Sequence, residues 1–387
     1  MTNTFIPYGR QNITDEDIEA VVEALRSDYL TQGLQVPAFE RELAHITGAA
    51  YAVALNSATS ALHVACMALD LGTGDWLWTV PTTFVASANC ALYCGAQVDF
   101  VDIDPTTYTM CPVALEAKLK QADAAGKLPK ILVPVHLCGQ SCDMEAISRI
   151  ARRFGVKIIE DASHSIGAHH QGRPVGDCRY SDITVFSFHP VKIITTAEGG
   201  MATTQDAGLA RKMDLARSHG ITRDPDQMTH APDGPWYYQQ ISLGYNYRMT
   251  ELQGALGLSQ LKQLQNFLAR RRQLAAQYDD LLAGLPLTRP AQHPDTNSSW
   301  HLYVVRVPAE RHTAVFEVLR AAGLGVNLHY IPVHTQPYYQ AMGFAAGQFP
   351  HAESYYAEAI SIPLYPGLSD SDQKRVVQEL TNALADQ

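Results

Sequence analysis

Apolar positions along the chain keep two rhythms in turn. Near the N-terminus, Ile18, Val21, Val22 and Leu25 recur at helical spacing behind Thr14-Asp-Glu-Asp, an N-cap followed by an acidic first turn. Short apolar runs then alternate with helical stretches. Strands are predicted at Tyr51–Leu55, Trp76–Val80, Gln97–Val101, Ile131–Val135, Val156–Ile159 and Ile183–Phe188. Helices are predicted at Thr59–Leu69, Phe84–Tyr93 and Met144–Phe154. Strands alternating with helices predict an α/β domain whose mostly parallel sheet is covered on both faces. From Leu252 to Leu282 the pattern becomes one long helix. A strand at Trp300–Val307, a helix near Thr313–Ala322 and a last helix from Ser369 to Leu384 follow. The expected organisation is an arm over 1–13, a large domain over 14–255 and a smaller α+β domain over 256–387, joined by the long helix. The proline- and glycine-rich stretch Thr222–Trp236 reads equally as a binding loop or a tolerated insertion.

Composition narrows the function classes. A chain of 387 residues with a net charge of −10 and no run of Lys or Arg is a poor match to nucleic acid or an anionic membrane as partner. Small anions remain open, because a helix N-terminus holds a phosphate without net positive charge. The seven cysteines are loosely spaced and odd in number, which predicts reduced thiols. His136, Cys138 and Cys142 lie close together, but no second ligand pair follows at a zinc-site spacing, so no metal is expected. The N-terminus lacks the basic and apolar regions of a signal peptide, and the apolar stretch from Ala49 to Leu69 is broken by Asn56, Ser57, Thr59, Ser60 and His63. The expectation is a soluble, cytoplasmic protein.

Three segments carry candidate chemistry. Ser187-Phe-His-Pro-Val-Lys192 follows an apolar strand and leads to Glu198-Gly-Gly. Open α/β sheets place ligands at the carboxyl ends of strands, and a desolvated lysine there can attack a carbonyl. Val156-Lys-Ile-Ile-Glu160-Asp161-Ala-Ser-His164 ends a buried strand in two carboxylates. There Asp161 is a charge partner for a ligand cation or a helix cap, and His164 alone reads as a core histidine. Asn56-Ser-Ala-Thr59-Ser60 is a polar turn between strand and helix, either a phosphate cradle or an ordinary cap.

Together these segments resemble the fold-type I pyridoxal-phosphate enzymes, and within them the DegT/DnrJ/StrS family of nucleotide-sugar aminotransferases. Thr82-Thr-Phe84-Val-Ala-Ser-Ala-Asn89, Val101-Asp-Ile-Asp104, Gly244-Tyr-Asn246-Tyr-Arg248-Met and Val326-Asn-Leu-His329-Tyr330-Ile-Pro332 extend the likeness through nearly the whole chain. The resemblance implies a large domain with a mixed, mostly parallel sheet, a smaller C-terminal domain and pyridoxal 5′-phosphate as cofactor. Lys192 would bond the cofactor aldehyde as a Schiff base, and Asp161 would pair with the pyridine nitrogen. Phe84 would stack on the ring, His164 would lie near the ring hydroxyl, and Thr59, Ser60 and Ser187 would hold the phosphate. Asn246 would reach the phosphate of a neighbouring subunit, so a homodimer with shared sites is implied. Ala197 and Ala58 stand where relatives carry glycine; if position 197 needs a positive φ, alanine is strained there by about 1 kcal/mol.

Within the family the likeness is strongest to the PseC-type members, which aminate the 4-keto group of a UDP-linked 6-deoxy-N-acetylhexosamine on the route to pseudaminic acid. Ile6-Pro-Tyr8-Gly-Arg-Gln, Asp28-Tyr-Leu30-Thr31-Gln32-Gly33 and Pro134-Val-His-Leu-Cys-Gly139-Gln140-Ser-Cys-Asp143-Met carry it. By that likeness Tyr8, Leu30, Thr31, Gln32, Gly33, Ser60, Asn246, His329, Tyr330, Ile331 and Pro332 would contact the nucleotide-sugar, and L-glutamate would donate the amine. Rival readings are a perosamine- or bacillosamine-precursor aminotransferase, a sugar dehydratase and a cofactor-binding regulator without turnover. Lys192 argues against the dehydratase, in which histidine replaces that lysine, and the intact Lys192, Asp161 and Asn246 argue against the regulator.

Overall fold

A computed structural model of the protein describes residues 5–385. The arm expected over 1–13 begins in residues 1–4, which lie outside them. The chain opens with β1 (Ile6–Pro7), α1 (Asp15–Arg26) and α2 (Gln35–Thr47). An alternation follows: β2 (Tyr51–Leu55), α3 (Ala58–Ala68), β3 (Trp76–Thr79), α4 (Ala86–Tyr93), β4 (Gln97–Phe100), α5 (Pro112–Ala124), β5 (Ile131–Leu132), α6 (Met144–Arg153) and β6 (Lys157–Asp161). A short hairpin, β7 (His169–His170) and β8 (Arg173–Pro174), precedes β9 (Ile183–Ser187), β10 (Gly200–Thr204) and α7 (Ala207–Arg217). Next come β11 (Ile221–Thr222), β12 (Gln239–Gln240) and the long helix α8 (Glu251–Leu281). The C-terminal part holds β13 (Thr296–Asn297), β14 (Tyr303–Arg306), α9 (His312–Ala321), β15 (Leu324–Gly325), α10 (Pro337–Gln340), α11 (Pro350–Glu358), β16 (Ala359–Ile362) and α12 (Asp370–Ala385).

Seven strands form one sheet in the order β2-β10-β9-β6-β5-β3-β4. β10 runs antiparallel to both neighbours, and the other pairings are parallel. The sheet is therefore mixed and mostly parallel, as expected. All five residues of β9 are buried, the mark of a strand covered on both faces. The strand expected over Ile131–Val135 pairs regularly only to Leu132; Pro134 has no N–H to donate, and Val135 keeps one bridge to Asp161. The strand expected from Trp300 begins at Tyr303, because Trp300 sits at φ +50°.

Helix α1 starts as its cap signal predicts: the Asp17 N–H donates to Thr14 Oγ1 and the Thr14 N–H to the Asp17 carboxylate. Along α8, Leu261, Leu264, Phe267 and Leu268 share a core with Val36, Phe39 and Leu43 of α2. Further on, Leu274, Ala275 and Tyr278 share a core with Ile6, Tyr303, Ile360 and Leu380. The apolar partners of α8 thus change between Leu268 and Leu274, deeper in the helix than the expected boundary at 255/256. The Thr222–Trp236 stretch follows β11, makes a single 3₁₀ turn at Pro225–Gln227 and leads into β12.

The loop from β9 to β10 is fastened at both ends. The Phe188 N–H donates to Gly199 O at 2.9 Å, and the Thr196 N–H to Phe188 O at 3.0 Å. Ile193 and Ile194 anchor it in the core beside Phe39. Ala197 takes φ +65°, so the alanine expected to be strained does sit in the left-handed region. Glycine removes the Cβ conflict there but adds unfolded-state freedom. Ala197→Gly is therefore expected to raise stability by about 0.5–1 kcal/mol, read as a higher denaturation midpoint at unchanged m-value.

Candidate active site

The carboxyl ends of β2, β3, β6 and β9 open on one edge of the sheet, where α/β folds bind ligands. A cavity of about 570 Å³ lies there. After β2, Ser57 caps α3, its Oγ accepting from the Ser60 N–H at 3.1 Å. Ala58 and Thr59 line the cavity, and their amides belong to the first turn, which a helix leaves unpaired. Gly200, which opens β10 opposite Leu55 and Ser187, lies behind this turn. A Cβ at Gly200 would stand 2.5 Å from the Ala58 nitrogen, so only glycine lets the strand pass so close.

Asp161 ends β6 and is buried. Its Oδ2 accepts from Ser87 Oγ at 2.6 Å; its Oδ1 accepts from Ser163 Oγ at 2.6 Å and from the Ser163 N–H at 3.1 Å. Every one of these donors aims at the carboxylate, an arrangement suited to negative charge. Lys192 reaches the same cavity from the fastened loop. Burial lowers its ammonium to about 8, against a partial upward pull from Asp161. Around it stand His164, His301 and His329, all buried. Burial and the Lys192 charge push His329 down to about 3, and burial with neighbouring cations puts His164 and His301 well below the usual range. All three shifts favour the neutral imidazole, and the half-buried Lys192 shares the cavity with the buried Asp161.

Among the expected residues, Tyr8, Thr59, Phe84, Asp161, His164, Ser187, Lys192, His329 and Tyr330 all line this cavity. Phe84 is 58% exposed, a bare aromatic face at the mouth. The structure does not bring the others in. Ser60 Oγ turns back to Asn56 Oδ1 at 2.7 Å and lines a separate recess with His63, Tyr93, Tyr245 and Tyr247. Leu30, Thr31, Gln32 and Gly33 form the loop before α2, where the Glu251 N–H at the start of α8 donates to Leu30 O. Asn246 is exposed and bridges to Ser218. Ile331 is exposed, and neither it nor Pro332 borders the cavity. Residues that carried no functional expectation also line it, among them Ser87, Glu198, His301 and Asn327. Ser87 lies inside the Thr82–Asn89 motif, but only the sheet brings it to Asp161.

The seven cysteines are free thiols. His136 is taken up by Glu160, at 2.7 Å, and by the Cys142 N–H, at 3.1 Å. Among the described residues no group of three or more His, Cys, Asp and Glu is arranged to hold a metal, and no helix is long and apolar enough to cross a membrane.

Lys192 also predicts a pH response of the cofactor-free protein. An unfolded lysine holds its proton to about 10.5. Between pH 8 and 10.5 the unfolded state therefore binds more protons than the folded one, and the Lys192 contribution to stability rises with pH. Below pH 8 the full cost of enclosing the charge remains. Lys192→Met is expected to gain on the order of 2–3 kcal/mol at pH 7, with the gain fading towards pH 10.5, in paired denaturant titrations.

Comparison with known proteins places this geometry. The model of the DegT/DnrJ/EryC1/StrS aminotransferase family matches residues 11–381. The spore coat polysaccharide biosynthesis protein SpsC of Bacillus subtilis is 39% identical over 383 residues, covering 97% of this chain and 96% of that protein. The structure of Helicobacter pylori PseC, described as an aminotransferase in the biosynthesis of pseudoaminic acid, superposes with a TM-score of 0.90 at 30% identity, covering 98% of this chain and 99% of that one. A putative sugar aminotransferase, Spr1654 of Streptococcus pneumoniae, known in PLP and PMP forms, superposes with a TM-score of 0.89 at 29% identity, covering 98% of this chain in both forms and 98% and 97% of the other.

Proposed function

The chain belongs to the DegT/DnrJ/EryC1/StrS aminotransferase family, and from that premise we propose that it transfers an amino group from L-glutamate to the 4-keto carbon of a UDP-linked 4-keto-6-deoxy-N-acetylhexosamine, as in pseudaminic acid biosynthesis. It is a sugar aminotransferase, and its cofactor is pyridoxal phosphate. The residues present fit that group: an enclosed lysine, a buried carboxylate, an exposed aromatic face, and unpaired helix amides backed by a glycine that admits no Cβ. Lys192 would hold the cofactor covalently, Asp161 its ring nitrogen, Phe84 a ring face, and Thr59, Ser187 and the start of α3 its phosphate. Bound there, pyridoxal phosphate supplies a carbonyl that carries the amino group and a ring that accepts electrons.

The chain's own groups do the rest. The single observation that carries the reading is the half-buried Lys192 sharing one cavity with the buried carboxylate of Asp161. An amine brought to about 8 is a usable base near neutral pH, able to take a proton from the carbon bearing the amine and return it to the acceptor carbon. Ser87 and Ser163 hold the Asp161 carboxylate in place. Tyr8, Asn327, His329 and Tyr330 supply polar groups on the cavity wall to orient a sugar. Asn246, Leu30–Gly33, Ile331 and Pro332 lie off this wall, and we assign them to a site completed by a second copy of the chain. Exposed Leu34, Trp236 and Leu243 are apolar surface that such a dimer would cover.

The likeness to PseC supports the pseudaminic acid route. The higher identity to SpsC favours a second reading, in which another nucleotide-linked ketosugar accepts the amine for a surface polysaccharide. The test is to load the enzyme with pyridoxal phosphate, convert it with L-glutamate, and offer 4-keto-6-deoxy sugars on UDP, GDP and dTDP in turn. Amination of the UDP-linked N-acetylhexosamine alone, seen by mass spectrometry and by return of the starting spectrum, is the expected result. Amination only of a GDP- or dTDP-linked sugar would establish the second reading.

A further inference from the structure

Glu251 opens α8 and is 2% exposed. A buried carboxylate is costly unless hydrogen bonds answer it. Here they come from backbone amides 216 and 215 residues away: the Gln35 N–H donates to Oε2 at 2.6 Å and, more loosely, the Val36 N–H to Oε1 at 3.5 Å. These amides begin α2, whose N-cap residue, Leu34, makes no side-chain cap. Glu251 supplies that cap from outside the helix, and an anion is favoured at a helix N-terminus. The Glu251 N–H donates in turn to Leu30 O at 3.0 Å. One residue therefore grips the Leu30–Gly33 loop on both sides, by its backbone at Leu30 and by its carboxylate just beyond Gly33. Between the two grips Gln32 takes φ +55°. A Cβ at Gly33 would stand 2.8 Å from Glu251 Oε2 and 3.0 Å from Tyr29 Cβ, so glycine is what lets the loop close on the carboxylate.

The loop is tied down by its backbone while its side chains stay outside the core. Leu30, Thr31 and Gln32 are all exposed. A buried carboxylate thus fixes the shape of a loop whose side chains are free to meet something else. Asn246, the other exposed residue assigned to a site shared between copies, lies on the segment that runs into Glu251. The same turn of α8 also reaches the cofactor side of the molecule. Gln253 Nε2 donates to Glu198 O at 2.6 Å, on the loop that carries Lys192. The start of α8 is therefore one rigid junction that holds the Leu30–Gly33 loop and the β9–β10 loop in a fixed relation.

We propose that Glu251 is a positioning residue for the amine acceptor: its carboxylate and its N–H hold the Leu30–Gly33 loop in the shape that meets the nucleotide-sugar in the site completed by a second copy. Glu251 acts through the loop and touches neither sugar nor cofactor. The proposal rests on the reading of that loop as a nucleotide-sugar contact. Its consequence is a split between the two halves of the reaction. Amine donation by L-glutamate does not use the loop, whereas amine acceptance by the ketosugar does.

The test uses the full chain loaded with pyridoxal phosphate. The readouts are the rate of the L-glutamate half-reaction, from the visible spectrum, and KM and kcat for whichever UDP-, GDP- or dTDP-linked ketosugar wild type aminates. Glu251→Ala is expected to raise the sugar KM about tenfold and to leave the glutamate half-reaction within about twofold of wild type. Glu251→Gln keeps an acceptor oxygen for the Gln35 N–H and is expected to stay within about threefold in KM. Thr250→Ala separates positioning from simple weakening of the helix start. Thr250 Oγ1 accepts from the Gln253 N–H at 3.3 Å and caps α8, so its loss frays the same turn while both grips on the loop remain. Its sugar KM is expected within about twofold of wild type. An unchanged KM in folded Glu251→Ala would overturn the proposal, as would an equal rise in Thr250→Ala or an equal fall in the glutamate half-reaction. If Glu251→Ala does not fold, Glu251→Asp decides, since it keeps the charge but draws it back from the Gln35 N–H: a raised sugar KM with the glutamate half-reaction intact is expected, and an unchanged KM overturns the proposal. If wild type aminates none of these sugars, the nucleotide-sugar reading itself falls and this proposal with it. That outcome is distinct from normal wild-type turnover with an unaltered Glu251→Ala.

Discussion

Lys192→Ala is expected to leave a folded protein with no covalently held cofactor and a transamination rate lower by at least about 10³-fold. On the proposed assignment the variant removes two functions at once, the covalent tether and the base that moves the proton. Its fold is not at risk, because the loop is fastened by Phe188, Thr196 and Gly199 backbone bonds and by buried Ile193 and Ile194, none of which needs the amine. The check is an absorbance spectrum with added pyridoxal phosphate, before and after L-glutamate, beside wild type. A wild-type band that shifts with glutamate and is absent from the variant is the expected pair. An equal band in both proteins would remove Lys192 from the chemistry.

Asp161→Asn is expected to cost roughly 10²–10³-fold in rate while shifting stability by no more than about 1–2 kcal/mol. The amide keeps one acceptor oxygen, so either the Ser87 or the Ser163 contacts survive, while the other side meets an NH₂ group. What is lost is the negative charge that the proposed assignment sets beside the ring nitrogen. Asp161 also pulls the Lys192 amine upward, so its loss should lower that amine and move the alkaline limb of cofactor-free stability to lower pH. Steady-state kinetics with paired denaturant titrations separate the two effects. A large fall in stability with unchanged kcat would make Asp161 a structural residue.

Much of the site was legible along the chain because its residues sit at the ends of strongly patterned elements. Tyr51–Leu55 is a strand over the same residues in sequence and structure, and the turn after it opens the expected helix one residue early. Asp161 and Lys192 follow apolar strands, so their place at the sheet edge follows from the pattern. Helix α2 was missed, although Val36, Phe39 and Leu43 keep helical spacing and Gly48 caps it at φ +74°; Pro37 near its start hides the signal. Strand β10 was missed for another reason. Gly200-Met-Ala-Thr-Thr has no apolar alternation, since both faces are buried and Thr203 and Thr204 satisfy their hydroxyls on the Gly176 and Asp182 carbonyls.

By itself, then, the chain determined the α/β alternation and the long helix, and it singled out Lys192, Asp161 and the turn after β2 as candidates for the site. These depend on local periodicity and on the chemistry of single residues at element ends. Only the tertiary structure decided which side chains meet. It ran β10 antiparallel so that Gly200 could lie against Ala58, brought Ser87 from α4 to Asp161 across 74 residues, and turned Ser60 out of the cavity. It also set His301 beside His164, far away along the chain, with their ring centres 4.4 Å apart. The physical reason is that a hydrogen bond or a close approach between distant residues leaves no period in the sequence; it exists only once the sheet and the long helix have fixed both partners.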